Sequence, residues 1–164
     1  SVTYSKGGVV LHMLREEIGN EAFWKGVKIY LDRYRLQNVR TTDLIKAMEE
    51  ASGKKLDWFF DQWVFKSGAP RMTVVPIYSA KTQILTITAS QTQKADEIVP
   101  SAFRFPLTLS IKTLKGVVTK DVLIDSRSQV LTVKLTAKPT DVEVIDDMKI
   151  PLKTVKLQKI KQVK

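Results

Sequence analysis

Tyr4, His12, two acidic pairs and one aromatic run are the parts of this 164-residue chain whose residue types could do chemistry. Tyr4 comes just before Lys6-Gly7-Gly8, on what reads as an extended or loop stub at the entrance of a helix. A phenol there can point out of the core and donate a hydrogen bond, although packing is the commoner use of such a tyrosine. His12, the single histidine, reads as structural, and nothing supports a catalytic triad. Glu16-Glu17 and Glu49-Glu50 are adjacent in sequence, so on helices their side chains diverge rather than share one proton. Trp58, Phe59, Phe60, Trp63 and Phe65 recur at helical spacing and read as core, with the wall of a substrate groove as the alternative. Gly7-Gly8 lacks both the phosphate-binding pattern and a preceding strand. The chain has no cysteine, which removes disulfides, thiolate nucleophiles and Cys-ligated zinc, and one histidine excludes a His-pair metal site within it.

The elements that must position these residues fall into two kinds. Val10, Leu14 and Ile18, widened by Leu11, make the stripe of a first helix that Gly19 stops. Asn20 is placed to cap a second helix with Phe23, Val27, Tyr30, Leu31 and Tyr34 on one face. Thr41 or Thr42 would cap a third, carrying Leu44, Ala47, Met48 and Ala51 and ending at Gly53. A fourth starts near Leu56, carries Phe59, Phe60, Trp63 and Val64, and ends at Ser67-Gly68-Ala69-Pro70. After Pro70 the hydrophobic period changes from 3.6 to 2. Short alternating runs at Met72–Pro76, Ile84–Ala89, Phe103–Lys112, Val117–Ile124, Val130–Leu135 and Val142–Ile145 predict antiparallel strands. Gln91–Ser101 reads as a polar loop, Pro106 as the mark of an edge strand or bulge, and Val155 with Leu157 as one possible last strand. The expected fold is therefore α+β in two parts, about four helices followed by an antiparallel β-sandwich, with boundaries at 1–69, 70–147 and a basic tail or last strand at 148–164.

The net charge of +10 raises nucleic acid or an anionic membrane as partners, and its distribution argues against both. Residues 1–69 carry +2, residues 70–146 carry +3, and residues 147–164 carry +5. Half of the excess lies on a short tail without aromatic residues, hence without a stacking platform for single strands. A solvated tail, or one docked on something acidic, is the better reading. No stretch approaches the roughly 20 apolar residues of a membrane-spanning helix.

Tyr4-Ser5-Lys6-Gly7-Gly8-Val9-Val10-Leu11-His12-Met13-Leu14 resembles the tyrosine segment of the M1 family of zinc aminopeptidases. The resemblance continues in order through Ile18-Gly19, Phe23, Gly26, Tyr30-Leu31, Tyr34, Asn38, Thr41, Asp43-Leu44 and Ala47-Met48-Glu49. It closes with Ser52-Gly53, Leu56-Asp57, Phe60, Trp63 and Gly68-Ala69-Pro70. Beyond about residue 70 the likeness is one of kind, since family members follow this helical stretch with a β-sandwich domain. The resemblance implies that residues 1–69 are the end of a thermolysin-like catalytic domain. It further implies that Tyr4 donates its hydroxyl to the oxyanion of a tetrahedral intermediate, while Lys6 and Gly7 shape the turn. It implies zinc in the parent enzyme, bound by a His-Glu-x-x-His helix and a later glutamate that would lie upstream of Ser1. On that reading the fragment supplies Tyr4, binds no zinc and is inactive alone; its parent removes N-terminal residues from peptides. Two alternatives stand beside it: a metal-free peptide-binding relative of the same fold, and a basic module for nucleic acid or membrane.

Overall fold

The computed structural model describes residues 2–145, 148–151 and 153–163, with side chains described from Lys6 onward. They form two compact units, Ser1–Ser67 and Gly68–Lys164.

The first unit is helical. Helix α1 spans Val2–Ile18, α2 Asn20–Arg33, α3 Thr41–Ser52 and α4 Asp57–Phe60, and α4 runs on into a π-helical turn, Asp61–Phe65. Gly19 ends α1 with φ 89°, and Gly53 ends α3 in the left-handed conformation with φ 68°, a region that suits a residue without Cβ. Three local expectations need correction. Helix α1 starts at Val2, so Tyr4 lies in its first turns rather than on a stub before it. Gly19, not Asn20, holds the cap position of α2, and the Asn20 side chain instead accepts a hydrogen bond from Trp24 Nε1 at 3.1 Å. Arg40 stands at the cap of α3, where its backbone N–H donates to Asp43 Oδ2 at 2.9 Å, so neither threonine performs that task.

The core of this unit is narrower than the periodicity suggests. Val10, Met13, Leu14 and Ile18 of α1 are buried, while Leu11 is 42% exposed, because the stripe turns toward Met13. From α2 only Phe23 and Gly26 are buried, and Leu31 is 61% exposed. Gly26 is there for close approach: a Cβ at this position would meet Met48 Sδ at 2.6 Å and Met48 Cα at 3.3 Å. Helix α3 answers with Ile45, Ala47 and Met48. The aromatic run completes the core, with Phe59, Phe60 and Trp63 almost wholly buried. In the π turn Lys66 N–H donates to Asp61 O at 2.9 Å, and the extra residue brings Gln62 inward beside Trp63, leaving Val64 and Phe65 exposed.

The second unit is a β-sandwich of two sheets. One sheet has the order β5-β2-β1-β7, with β8 also on β1; the other has the order β4-β3-β6. The strands are β1 (Arg71–Ser79), β2 (Ile84–Gln91), β3 (Phe105–Thr113), β4 (Gly116–Ile124), β5 (Ser128–Lys134), β6 (Pro139–Val144), β7 (Thr154–Leu157) and β8 (Lys161–Val163). Strands β1 and β2 alternate strictly, so Met72, Val74, Leu85, Ile87 and Ala89 are buried while Thr73, Val75, Thr86 and Thr88 face outward. The inner face of the smaller sheet contributes Leu107, Leu109, Ile111, Ile124 and Val142. The sandwich is not wholly antiparallel: β7 and β8 both run parallel to β1, a return that alternation within one short segment cannot reveal. Pro106 sits where its type permits. Strand β3 pairs with β4 along its length but with β6 only from Leu109 on, so Pro106 has a neighbour on one side.

Gln91 and Gln93 tie the polar 92–104 segment to this frame. The Gln91 side chain exchanges hydrogen bonds with both backbone groups of Phe103, donating at 2.7 Å and accepting at 2.8 Å. It also donates to Ser126 O at 3.1 Å, and Gln93 Nε2 donates to its carbonyl oxygen at 3.1 Å. Arg127 donates to Gln93 O at 2.8 Å and Ser101 O at 2.9 Å. A buried amide is tolerable here because its polar atoms find partners.

Candidate active-site segment

The α1 helix carries Tyr4 and His12. Positions 4, 7, 8 and 11 fall on one side of it by helical spacing. That side is bare at Gly7 and Gly8: both are exposed, and among the described residues a Cβ on either would meet no atom within 4 Å beyond its own stretch of helix. Immediately beyond Tyr4 in the chain, a shallow apolar groove of about 280 Å³ opens between α1, the start of α3 and the aromatic segment. Its walls are Lys6, Gly7, Val10 and Leu11 on one side, Thr41 and Leu44 on another, and Phe60, Trp63 and Val64 on the third.

The aromatic run supplies both core and groove wall. Phe59, Phe60 and Trp63 are core, and Phe60 and Trp63 also reach the groove wall. Sequence spacing pointed to neither Thr41 nor Leu44 as groove residues, because nothing local to α3 says that its first turn approaches Gly7. Among the described residues, Lys6 is the one ionisable side chain on the wall.

The acidic pairs do structural work. Glu49 Oε1 accepts the Leu56 backbone N–H at 2.8 Å, and its other oxygen is 3.3 Å from Lys55 Nζ. That backbone hydrogen bond holds the Glu49 carboxyl below its ordinary value, with Lys55 adding to the effect and partial burial opposing it. Glu50 pairs with Arg33 at 2.8 Å, and Glu17 with Lys54 at 3.4 Å. Glu49 and Glu50 thus turn to different partners, as adjacency on a helix requires. His12 lies half-buried in the middle of α1.

Among the described residues, no group of three or more His, Cys, Asp or Glu side chains could hold a metal ion. Zinc, which the family resemblance implies, therefore has no fitting ligand set in them. No described helix is long and apolar enough to cross a membrane.

Three comparisons bear on this geometry. Residues 1–63 match the model of the peptidase family M1 domain. Aminopeptidase N of Lactococcus lactis subsp. lactis is 38% identical over 93 residues, which is 57% of this chain and 10% of that protein. Mitochondrial aminopeptidase 2 of Saccharomyces cerevisiae is 30% identical over 133 residues, covering 80% of this chain and 14% of that protein. The chain thus spans about a tenth to a seventh of the length of these relatives. In fold it is similar to the crystal structure of Legionella pneumophila aminopeptidase A in complex with aspartic acid. The TM-score is 0.71 at 17% identity, over 94% of this chain and 18% of that one. The tyrosine-bearing helix, the order of motifs behind it and the sandwich that follows agree with one another, and the chain belongs to the M1 peptidase family.

Proposed function

We propose that this chain is part of an aminopeptidase that removes N-terminal residues from peptides, and that its contribution to the chemistry is the Tyr4 hydroxyl. The observation that carries the proposal is the family-model match over residues 1–63, which takes in Tyr4 and the Lys6-Gly7-Gly8 segment of α1. A tyrosine suits the task because its phenol is neutral at pH 7 and keeps its proton for donation. Water attacking a peptide carbonyl places negative charge on the carbonyl oxygen. A donor aimed at that oxygen is worth most when the charge has developed, so it lowers the barrier rather than merely binding substrate. The exposed glycines at 7 and 8 leave the helix surface beside Tyr4 open to an extended backbone, and the apolar groove next to them can take a side chain. The catalytic zinc belongs to the whole protein and not to the described residues, so the 164-residue chain alone hydrolyses nothing.

The test uses the whole protein containing this segment. Tyr4→Phe removes one oxyanion donor and lowers kcat for aminoacyl amides by roughly 10²–10³, with bound zinc and folding unchanged. An unchanged kcat overturns the role of Tyr4. Absence of both zinc and hydrolysis in the wild type overturns the enzyme reading and favours a peptide-binding relative of the same fold.

A further inference from the structure

We propose that the outer face of the larger sheet is a docking surface for an acidic face of another polypeptide. The register places the residues of this face in rows across the strands. One row runs Ser128, Ser90, Thr73, Lys156, and the Ser90 and Ser128 hydroxyls lie 3.0 Å apart on it. Another runs Thr132, Thr86, Ile77, Lys161. A third sets Lys134 on β5 opposite Ile84 on β2. Arg71 stands at the start of β1 on the same face. The outward strand positions hold hydroxyl and β-branched residues framed by these four cations, and no acidic residue occurs among them.

The opposite sheet shows what an ordinary solvated face of this protein looks like. There Lys112 lies at 3.9 Å from Asp141 and hydrogen-bonds Glu143, and Asp121 accepts from Thr108 at 2.7 Å. Among the described residues, Arg71, Lys134, Lys156 and Lys161 have no such ion pair, and all four are exposed. Across four strands at about 4.8 Å spacing, the Lys156–Lys161 edge stands roughly 14 Å from the Lys134 edge. An acidic surface laid across the sheet meets cations on both borders and hydroxyl donors between them.

The same face fits other polyanions poorly. It carries no aromatic side chain to stack a base and no helix to enter a groove. It offers no Trp, Phe or Leu to sink below lipid headgroups, since its most exposed apolar residues are Val130 and Val163. A hydroxyl-rich, cation-framed sheet face suits a folded acidic partner instead.

The probe is poly-L-glutamate, added to the 164-residue chain while backbone amide shifts are followed by NMR. The expected result is that shifts cluster at Thr73, Thr86, Thr88 and Thr132. Lys134→Gln/Lys156→Gln/Lys161→Gln should bind roughly tenfold more weakly. The control Lys25→Gln/Lys46→Gln/Lys115→Gln loses the same net charge and should bind within about twofold of the wild type. Equal loss in the control, or shifts spread over the helical unit, overturns the proposal in favour of general charge attraction. Tighter binding to phosphatidylserine vesicles or duplex DNA at equal ionic strength overturns it in favour of those partners. Salt-sensitive self-association in sedimentation overturns it in favour of a second copy, whose Asp121, Asp141 and Glu143 face would be the occupant.

Discussion

The helical unit and the β unit hold their polar residues to different ends. In the helical unit the buried interior is almost wholly apolar, the ion pairs lie at its surface, and the functional interest is at the exposed side of one helix. In the β unit a buried pair of glutamines organises the longest irregular segment, and the sheet faces differ in charge. The family model reaches residue 63, within the last turn of the helical unit, whereas the sandwich is tied to its relatives by fold and by the longer pairwise alignments. What differs is the kind of constraint. On the proposed role of Tyr4, a segment that presents a donor from a helix needs particular residues at particular positions. A sandwich needs alternation and a few well-placed polar anchors, which many sequences supply.

Four substitutions test that contrast, alongside the larger kinetic effect expected of Tyr4→Phe. Trp63→Ala empties the centre of the helical core and should destabilise that unit by about 3–5 kcal/mol, read by denaturant unfolding of the 164-residue chain. A loss under about 1 kcal/mol would make Trp63 a groove residue rather than a core one. Gln91→Ala removes the acceptor and donor that hold Phe103 and should cost roughly 2–4 kcal/mol. Hydrogen exchange should then rise first at Phe103 and its neighbours; unchanged protection there would show that β-strand pairing, not the amide, orders the 92–104 segment. Gly26→Ala raises helix propensity yet drives a methyl against Met48, so a net destabilisation of about 1–3 kcal/mol is expected. A gain in thermal stability would mean that α2 and α3 can part without loss.

Glu49→Gln should have the smallest effect, about 1 kcal/mol at pH 7, because the amide oxygen still accepts from Leu56 but without charge. The sign of its pH dependence follows from the lowered carboxyl. Stability from Glu49 is present above the ordinary carboxyl value of 4.5 and is lost as pH falls through the lower folded value. Urea unfolding should therefore separate wild type from Glu49→Gln at pH 7, and the difference should shrink as the pH is lowered below 4.5.

Much of this molecule was legible in its sequence. The change of period after Pro70, the stops at Gly19 and Gly53, the aromatic run and the alternating strands all follow from local chemistry: side chains sort by the period of the backbone that carries them. Sequence and structure part where the outcome depends on a neighbour distant in the chain. Leu11 and Leu31 fit a helical stripe yet stay exposed, because a stripe says which side is apolar and not how far the facing helices extend. The α3 cap fell to Arg40 and Asp43 because a carboxylate three residues on reaches the free N–H. Tyr4 as the residue to watch came from sequence; the groove beyond it came from the approach of α3 and the π turn to α1, which no spacing within α1 encodes. Likewise the lysines near the C-terminus were visible as a charge run. Only the parallel pairing of β7 and β8 with β1 sets two of them on one face with Lys134, more than twenty residues away, because strand register is decided by what a strand lies beside.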